Sequence, residues 1–335
     1  MEYEIDGGAG AYASMVAQIL IQHGDTLYYP AVEEGVSLEW SRKGSPGKLK
    51  FTAVQDGVLQ FQEGDPVKFS VDGKDMFYGF VFTKGKSSKS PYLWDVTVYD
   101  QLRYFKNKDT YNFVNKTADE ILRMIAKDFQ LRTGALESTG YKIASLVEDD
   151  ASLFDMVQDA LDETLLAKGK MYVLYDSVGA LTLQNIESMK LDLLIDADTA
   201  GSYKYTGSID SQTYNQIKIT YKDENSGGRS VYIARDSAHI NEWGLLQYTD
   251  TVEQPGSGAA KAEALLQLYN QKTKKLSLSD VLGDTRVRGG SSVICSLDLG
   301  DAAVQSYLMV EKVTHNFKNN QHTMDLNLRG GGFIA

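Results

Sequence analysis

Apolar and polar residues alternate in short runs over the first third of the chain. The runs lie at 19–22, 36–40, 49–54, 58–62, 67–71, 76–83 and 92–100. A period of two is typical of strands that bury one face, and Asp-Gly and Gly-Asp pairs between the runs supply turns. Seven short strands at this spacing predict an antiparallel β-barrel or β-sandwich.

The period changes to that of a helix after Thr117. Apolar residues recur at helical spacing over 118–130, where Thr117 is placed to cap the helix and Glu120 to complete a capping box. A second helix is predicted near 151–167, and a hairpin pattern follows at 171–185. These elements predict a small α+β domain.

Strand patterns resume near Tyr203 and continue to residue 328, interrupted by one helical pattern near 259–275. The predicted fold is therefore mainly β, with two tandem antiparallel tube-like β-barrels and a small inserted α+β domain. The predicted boundaries are 1–18 for an N-terminal extension, 19–111 for the first barrel, 112–190 for the insertion, 191–329 for the second barrel and 330–335 for a C-terminal tail.

The hairpin pattern at 76–98 recurs at 306–328, an offset of 230 residues. The aligned pairs are Phe77 and Tyr307, Phe80 and Val310, Trp94 and Met324, Asp95 and Asp325, Val96 and Leu326, and Val98 and Leu328. Two matching units in one chain predict a subunit of a ring or tube that fills two equivalent places. The alternative is that two generic hairpins align by chance.

The 335-residue chain carries a formal net charge of −11. A nucleic-acid-binding protein presents a basic stripe, whereas this sequence has only a short lysine cluster near residue 86, so specific nucleic-acid binding is not expected. An acidic surface repels DNA, which suits a conduit through which DNA slides without binding. Acidic charge in such a channel is expected to come from barrel residues such as Glu33, Glu34, Asp56, Glu63 and Asp65, and the sequence does not specify which of them face inward.

Membrane insertion and a signal peptide are also not expected. No run of 18 apolar residues is present, and acidic residues stand near the N-terminus where a signal peptide carries Lys or Arg. The single cysteine, Cys295, lies in an alternating strand and is expected to be a buried structural thiol.

Candidate catalytic and metal-binding residues are sparse. His315 and His322 flank a predicted tight turn, but the sequence offers no third metal ligand beside them. Asp155, Asp159 and Asp162 form one stripe along a predicted helix, whereas a glycosidase places two carboxylates across a cleft. No phosphate-binding loop, nucleophile elbow or zinc-protease motif occurs, so no enzyme activity, cofactor or metal is expected.

Five segments carry a resemblance to a known family. They are EGDPVKFSVDGKDMFYGFVF at 63–82, ADEILRMIAKDFQL at 118–131, SLV…LFDMVQDALDET at 145–164, DSAHINEWGLLQYTDTV at 236–252 and HNFKNNQHTMDLNL at 315–328. These segments resemble the XkdQ/YqbQ-type (PBSX-like) baseplate hub proteins of contractile phage tails and phage-tail-like bacteriocins. The resemblance runs in order from about Ile19 to Arg329.

The resemblance implies a structural hub similar to the T4 gene-27 protein and to the N-terminal half of the type VI spike protein. It implies that three chains form a pseudo-six-fold ring joining the six-fold tail tube to the three-fold spike. The implied partners are further copies of the chain, the tail tube protein or a tube initiator, the spike protein, the tape-measure protein, and baseplate wedge or LysM-type proteins. Assembly in the bacterial cytoplasm and incorporation into a virion tail or bacteriocin particle are implied as well.

Two other functions stay open at this stage. One is a tail-associated cell-wall hydrolase, and the other is a carbohydrate-binding module, suggested by Trp40, Trp94, Trp243 and many tyrosines. Under the hub hypothesis, equivalent hairpins meet equivalent neighbours, so their tips at 84–91 and 317–321 are candidate subunit contacts. The candidate contact residues are Lys84, Lys86, Lys89, Phe317, Lys318 and Asn319.

Overall fold

The structure is a computed structural model that describes residues 15–33, 35–210, 212–222, 228–252, 258–298 and 303–330. Over these residues it is mainly β, with 21 strands and four α-helices. None of the described helices is both long and apolar enough to cross a lipid bilayer. Most of the N-terminal extension and of the C-terminal tail expected from the sequence falls outside the described residues.

The first β-unit spans residues 17–99. Its strands are β1 Ala17–His23, β2 Thr26–Tyr28, β3 Val36–Ser41, β4 Lys48–Val54, β5 Pro66–Val71, β6 Lys74–Ser87 and β7 Ser90–Tyr99. The strand predicted at 58–62 is wrong, because this segment is a loop. The Asp56 carboxylate accepts hydrogen bonds from the backbone N–H groups of Val58 and Leu59 at 2.9 and 2.8 Å, which turns the chain instead of extending it.

The inserted α+β domain follows the first unit. Its elements are a 3₁₀ helix at Gln101–Lys106, β8 Lys108–Lys116, α1 Ala118–Asp128, β9 Thr133–Leu136, β10 Ile143–Ser152, α2 Leu153–Lys168, β11 Tyr172–Asp176, β12 Leu181–Asn185 and a 3₁₀ helix at Ile186–Met189. The predicted capping box is confirmed: Thr117 Oγ1 accepts from the Glu120 N–H, and Glu120 Oε2 accepts from the Thr117 N–H. The apolar faces of α1 and α2 share one core, which includes Ile121, Ile125 and Met156.

The remaining elements run from residue 190 to residue 330. They are β13 Lys190–Asp196, β14 Ser202–Ser208, β15 Gln216–Lys222, β16 Arg229–Arg235, α3 Ser237–Trp243, β17 Gln247–Val252, α4 Gly258–Tyr269, β18 Thr273–Leu282, β19 Ser292–Asp298, β20 Ala303–Lys318 and β21 Gln321–Gly330. The sequence predicted one helix here, over 259–275. The structure contains a second one, α3, which begins where the Asp236 carboxylate accepts from the Ala238 N–H at 2.8 Å.

The two β-units have the same strand order. The first is arranged β1-β5-β6-β7-β4-β3, and the second β13-β19-β20-β21-β18-β14. All pairs within this order are antiparallel, except that β13 lies parallel to β19. The predicted fold class, mainly β with two tandem antiparallel tube-like units and an α+β insertion, is confirmed.

The equivalence of the two hairpins holds with one correction. Val81 pairs with Val98 in the first hairpin and Val310 pairs with Leu328 in the second, and each ladder has a bulge directly afterwards. The offset is therefore 229 between β6 and β20 and 230 between β7 and β21. The uniform offset of 230 misplaces the first strand by one residue, because the second hairpin is one residue longer around its tip.

A separate module lies between β14 and β18. Strands β15, β16 and β17 form a sheet of their own, in which β17 is parallel to β15, and α4 packs on it. Its core contains Ile217, Ile219, Ala234, Ala262 and Leu265. In the first unit the corresponding strands, β3 and β4, are joined by the short loop 42–47, so the module occupies the place of that loop.

The two β-units are joined edge to edge into one 13-stranded sheet. The junction is an antiparallel pairing of β3 with the second half of β20, from Ser41 opposite Lys312 to Val36 opposite Phe317. One continuous apolar core lies behind both units and includes Leu38, Leu49 and Leu326. No pattern in the sequence predicts this pairing between the units.

Candidate subunit-contact edges

The junction between the units shows how the edge of one unit meets its neighbour. β20 is 16 residues long and changes partner along its length, with β19 opposite residues 303–309 and β3 opposite residues 312–317. The Arg42 N–H donates to the Glu311 carbonyl at 2.8 Å and extends the ladder by one pair. β20 therefore extends beyond the end of β19, and the part that extends beyond it is the edge with which the neighbouring unit pairs.

Charged side chains bridge the polar face of this junction. Glu39 of β3 accepts from Lys48 at 3.0 Å and from Lys312 of β20 at 2.7 Å. Burial raises the pKa of Glu39, but the two lysines outweigh it and hold the pKa below its usual value. Arg42 Nε donates to Glu311 Oε2 at 2.9 Å, so a second ion pair joins the two units.

The apolar face of the junction holds the predicted histidine pair. His315 is fully buried, with its ring edge-on to Trp40 at 5.3 Å between centroids. Its Nε2 lies 2.9 Å from the Val287 carbonyl and its Nδ1 lies 2.8 Å from His322 Nε2. A carbonyl accepts only, so Nε2 of His315 carries the proton and His322 Nε2–H donates to Nδ1.

Both histidines are held neutral by their surroundings. Burial, then the neighbouring His322, lowers the pKa of His315 to about 3, and burial lowers that of His322 to about 4. Within the part of the chain that the structure describes, no cluster of three or more His, Cys, Asp or Glu side chains could hold a metal ion. The hydrogen bonds of His315 to Val287 and His322 and its contact with Trp40 make the pair a packing and hydrogen-bonding element of the junction.

The outer part of β6 is one free edge of the sheet. Residues 83–87 pair with β7 on one side, and among the described residues no strand pairs with their other side. Lys84 Nζ lies 4.2 Å from the Trp94 ring centroid and 4.0 Å from that of Phe61, and Lys86 Nζ lies 3.9 Å from that of Trp94. These cation–π contacts hold the two lysines over the apolar end of the unit.

Strand β14 also has a free edge. It is one of the end strands of the 13-stranded sheet and, among the described residues, pairs with β18 only. Tyr203 on this strand is 51% exposed, while Tyr205 packs partly against the main core. An exposed edge with a large aromatic side chain is a surface on which another strand can pair.

The six candidate contact residues lie in three different places in the structure. Lys84 and Lys86 lie on the free edge of β6, and Lys89 is exposed at the following turn. Lys318 and Asn319 lie at the tip of the second hairpin, where Asn319 has a left-handed φ of 54°. Phe317 is 3% exposed and lies edge-on to Phe69 at 5.0 Å, so its side chain belongs to the core inside the chain.

The acidic stripe on α2 has local partners. Asp155 accepts from the Ser152 hydroxyl at 2.6 Å beside the start of the helix, and Asp162 accepts from Gln158 at 2.7 Å. Burial and the neighbouring carboxylates raise the pKa of Asp159. Burial, then the nearby Asp159 and Asp155, also raises the pKa of Glu148 on β10.

Two other sequence expectations concern Cys295 and the acidic residues of the channel. Cys295 is fully buried, and burial raises the pKa of its thiol to about 12. Asp65 is also buried, where it accepts from the Gln62 N–H and from His23 Nδ1, each at 2.8 Å, so assigning it to a channel wall is wrong. Glu34 lies outside the described residues.

A buried pair of aspartates, Asp100 and Asp176, lies where the domains meet and was not predicted from the sequence. Asp100, 1% exposed, accepts from the N–H groups of Gly47 at 2.8 Å and Leu102 at 3.0 Å. Burial, then the nearby Asp176, raises the pKa of Asp100 well above its usual range. The Arg288 guanidinium of the second unit lies 4.8 Å from the Trp40 ring centroid and 4.1 Å from that of Tyr175. No short motif marks these residues, because they are brought together from all three domains.

Comparisons with known proteins agree with this architecture. The family model for YqbQ-like proteins matches residues 36–329. The chain belongs to the YqbQ-like family. The phage-like element PBSX protein XkdQ of Bacillus subtilis (strain 168) is 32% identical to this YqbQ-like chain over 314 residues, covering 91% of this chain and 94% of XkdQ. The resemblance recognised in the sequence is confirmed.

Solved structures share the fold at low sequence identity. A tail protein from Neisseria meningitidis MC58 matches with a TM-score of 0.70 and 10% identity, covering 94% of this chain and 97% of its own. The E. coli c3393 protein is a type VI secretion component described as structurally similar to the T4 tail proteins gp27 and gp5. It matches with a TM-score of 0.57 and 10% identity, covering 95% of this chain and 79% of its own.

Proposed function

We propose that this YqbQ-like protein is a structural, non-enzymatic hub of a contractile phage tail or tail-like particle. The observation that carries the proposal is the duplicated strand order, because one chain then presents two equivalent units side by side. Membership in the family of XkdQ, which is named a phage-like element protein, supports a tail function.

Three copies form a closed ring in this proposal. Each chain contributes two units, so three chains supply six similar positions and match a six-fold tube on one face and a three-fold spike on the other. The partners are the tail tube protein or a tube initiator, the spike protein, the tape-measure protein, and baseplate wedge or LysM-type proteins. The fold shared with tail proteins and with a type VI secretion component supports this arrangement.

The mass of the protein in solution, measured by sedimentation, tests whether three copies assemble. The purified chain, alone and mixed with the spike protein of its own particle, is expected to sediment at three times its 37.1 kDa mass, with the spike adding to it. A chain that stays monomeric in the presence of the spike, or a complex containing six copies, contradicts the proposal. Imaging of the complex then distinguishes a closed ring from an open chain of subunits.

A turbidity assay on purified cell walls tests the hydrolase alternative. The proposed hub leaves turbidity unchanged at a concentration at which lysozyme, as the positive control, clears the suspension. Clearing by the hub protein favours a hydrolase. Retention on a column of immobilised cell-wall polysaccharide, without clearing, favours a carbohydrate-binding module.

A further inference from the structure

The two β-units can be matched residue by residue through their ladders. Leu49 of β4 pairs with Val98 and Leu38, while Leu276 of β18 pairs with Leu328 and Tyr205. Since Val98 and Leu328 are equivalent in the two hairpins, Tyr205 is the counterpart of Leu38. Residues 203–208 of β14 therefore correspond to residues 36–41 of β3, which is the strand that receives β20 at the junction.

The same matching identifies the residues of the first unit that correspond to the part of β20 that pairs with β3. Residues 83–85 correspond to residues 312–314 of β20 through the offset of 229, and the pairing of β6 with β7 then shifts register between Gly85 and Ser87. Counted along β6 itself, which continues to Ser87, residues 86–88 follow in the places of residues 315–317. Residues 312–317 and 36–41 are paired inside the chain, whereas 83–87 and 203–208 are free edges among the described residues. Residues 83–87 are thus equivalent to the β20 side of the internal junction, and residues 203–208 are equivalent to its β3 side.

We propose that residues 83–88 of one copy pair antiparallel with residues 203–208 of the next copy, in the register of the internal junction. The register places Lys86 opposite Tyr205, Gly85 opposite Thr206 and Ser87 opposite Lys204. This inference rests on the trimer proposed above and assigns the strands that close it. The partner is a second copy of this chain, because the internal junction is the template for the pairing.

The side chains on the two edges are compatible in this register. Lys84 and Lys86 take the places of the buried Val313 and His315, and they meet Gly207 and Tyr205 across the pair. A lysine beside a tyrosine ring extends the cation–π contacts already made with Trp94. Lys204, the lysine within residues 203–208, faces the small Ser87, so no two lysines lie directly opposite each other.

The hydrogen-bond pattern selects the best position for a covalent test. Arg42 and Glu311 form a hydrogen-bonded pair, so the pairs alternate and Ser37 with Asn316 is a non-hydrogen-bonded one. Its counterpart between copies is Ser87 with Lys204. Residues opposite each other at such sites have Cα atoms roughly 4.5 Å apart, which lies within the range of about 4.4–6.8 Å that a disulfide spans after substitution by cysteine.

The experiment mixes two separately purified variants, Ser87→Cys and Lys204→Cys, under mild oxidation. A covalent dimer is expected from the mixture and is absent from either variant alone. The double variant is expected to give a covalent trimer. The native thiol does not interfere, because Cys295 is fully buried.

Thr206→Cys mixed with Ser87→Cys is the matched control. Thr206 is also exposed and on the same face of β14 as Lys204, but it is shifted by two residues, so the covalent dimer is lost. Equal cross-linking of both mixtures overturns the register. A sedimenting trimer without cross-linking in the Ser87→Cys and Lys204→Cys mixture overturns the strand pairing and leaves the trimer standing. A protein that stays monomeric with the spike overturns both.

Discussion

The histidine pair at the junction shows how one buried residue depends on its neighbours. His315 occupies a core position at which an apolar residue is usual, and both of its ring nitrogens form hydrogen bonds, one with the Val287 carbonyl and one with His322. Both hydrogen bonds use the neutral imidazole, and burial disfavours the charged form of each ring. The sequence showed two histidines flanking a turn, but not their burial, which depends on β3 covering this part of β20.

Acidification is therefore expected to destabilise the junction. Since the folded pKa of His315 is about 3, the unfolded chain binds more protons below pH 6.5, and stability falls as pH falls. From pH 7 to pH 5 this group alone lowers the free energy of unfolding by about 2 kcal/mol. Urea unfolding at pH 7, 6 and 5 measures the change. His322→Gln keeps an N–H donor and removes one titrating ring, so its pH dependence is weaker; equal dependence in both proteins contradicts the assignment.

Gly47 is a second residue whose size is set by its surroundings. A Cβ at this position would lie 2.3 Å from Asp100 Oδ2 and 2.9 Å from the Trp40 ring, which leaves no room for it. Gly47→Ala is expected to lower the free energy of unfolding by about 2 kcal/mol, since it displaces a buried carboxylate that two N–H groups need. Gly85→Ala is the control, because a Cβ there meets nothing within 4 Å. Similar destabilisation of both variants in urea rules out this explanation.

Local sequence patterns predicted individual helices and hairpins, but they did not predict which distant strands pair with each other. The capping box at Thr117 and the two hairpins follow from residues a few positions apart, and the structure has them. The predicted strand at 58–62 failed because the Asx turn at Asp56 competes with extension. The parallel pairing of β13 with β19 involves residues about 100 positions apart, and no local pattern specifies it.

The module between β14 and β18 is expected to be removable. Ser208 and Thr273, which flank it, are directly opposite each other in the ladder, so a short loop can join the two strands. Replacing residues 209–272 with the six-residue loop 42–47 should leave a folded protein with a β-rich circular dichroism spectrum and cooperative unfolding. A deletion of 202–272, which also removes β14, is the control and is expected to expose β18 and aggregate. An unfolded short-loop variant contradicts the interpretation that the module is an insertion in a loop.

The sequence predicted the two β-units of the molecule but not the strands that join them. The family resemblance and the hairpin offset indicated equivalence, while the β3–β20 junction depends on strands about 270 residues apart. Neither edge is recognisable in isolation, since Val36–Ser41 and Tyr203–Ser208 share almost no residue types. Only the ladders on both sides of each strand establish that the two occupy equivalent places.

The acidic composition of the chain also predicts the charge of a central channel. The chain has 45 acidic and 34 basic side chains, and a cationic wall would bind the phosphates of passing DNA at each step. With Asp65 buried, the acidic residues that stay proposed for the wall are Glu33, Glu34, Asp56 and Glu63, and the three of them that the structure describes, Glu33, Asp56 and Glu63, are exposed in the single chain. An electron-microscopy structure of the trimer is expected to show acidic and neutral side chains lining the channel, and low-salt mobility assays to show no binding of short duplex DNA. A wall dominated by lysine and arginine contradicts the conduit, although the ring and its strand pairing do not depend on it.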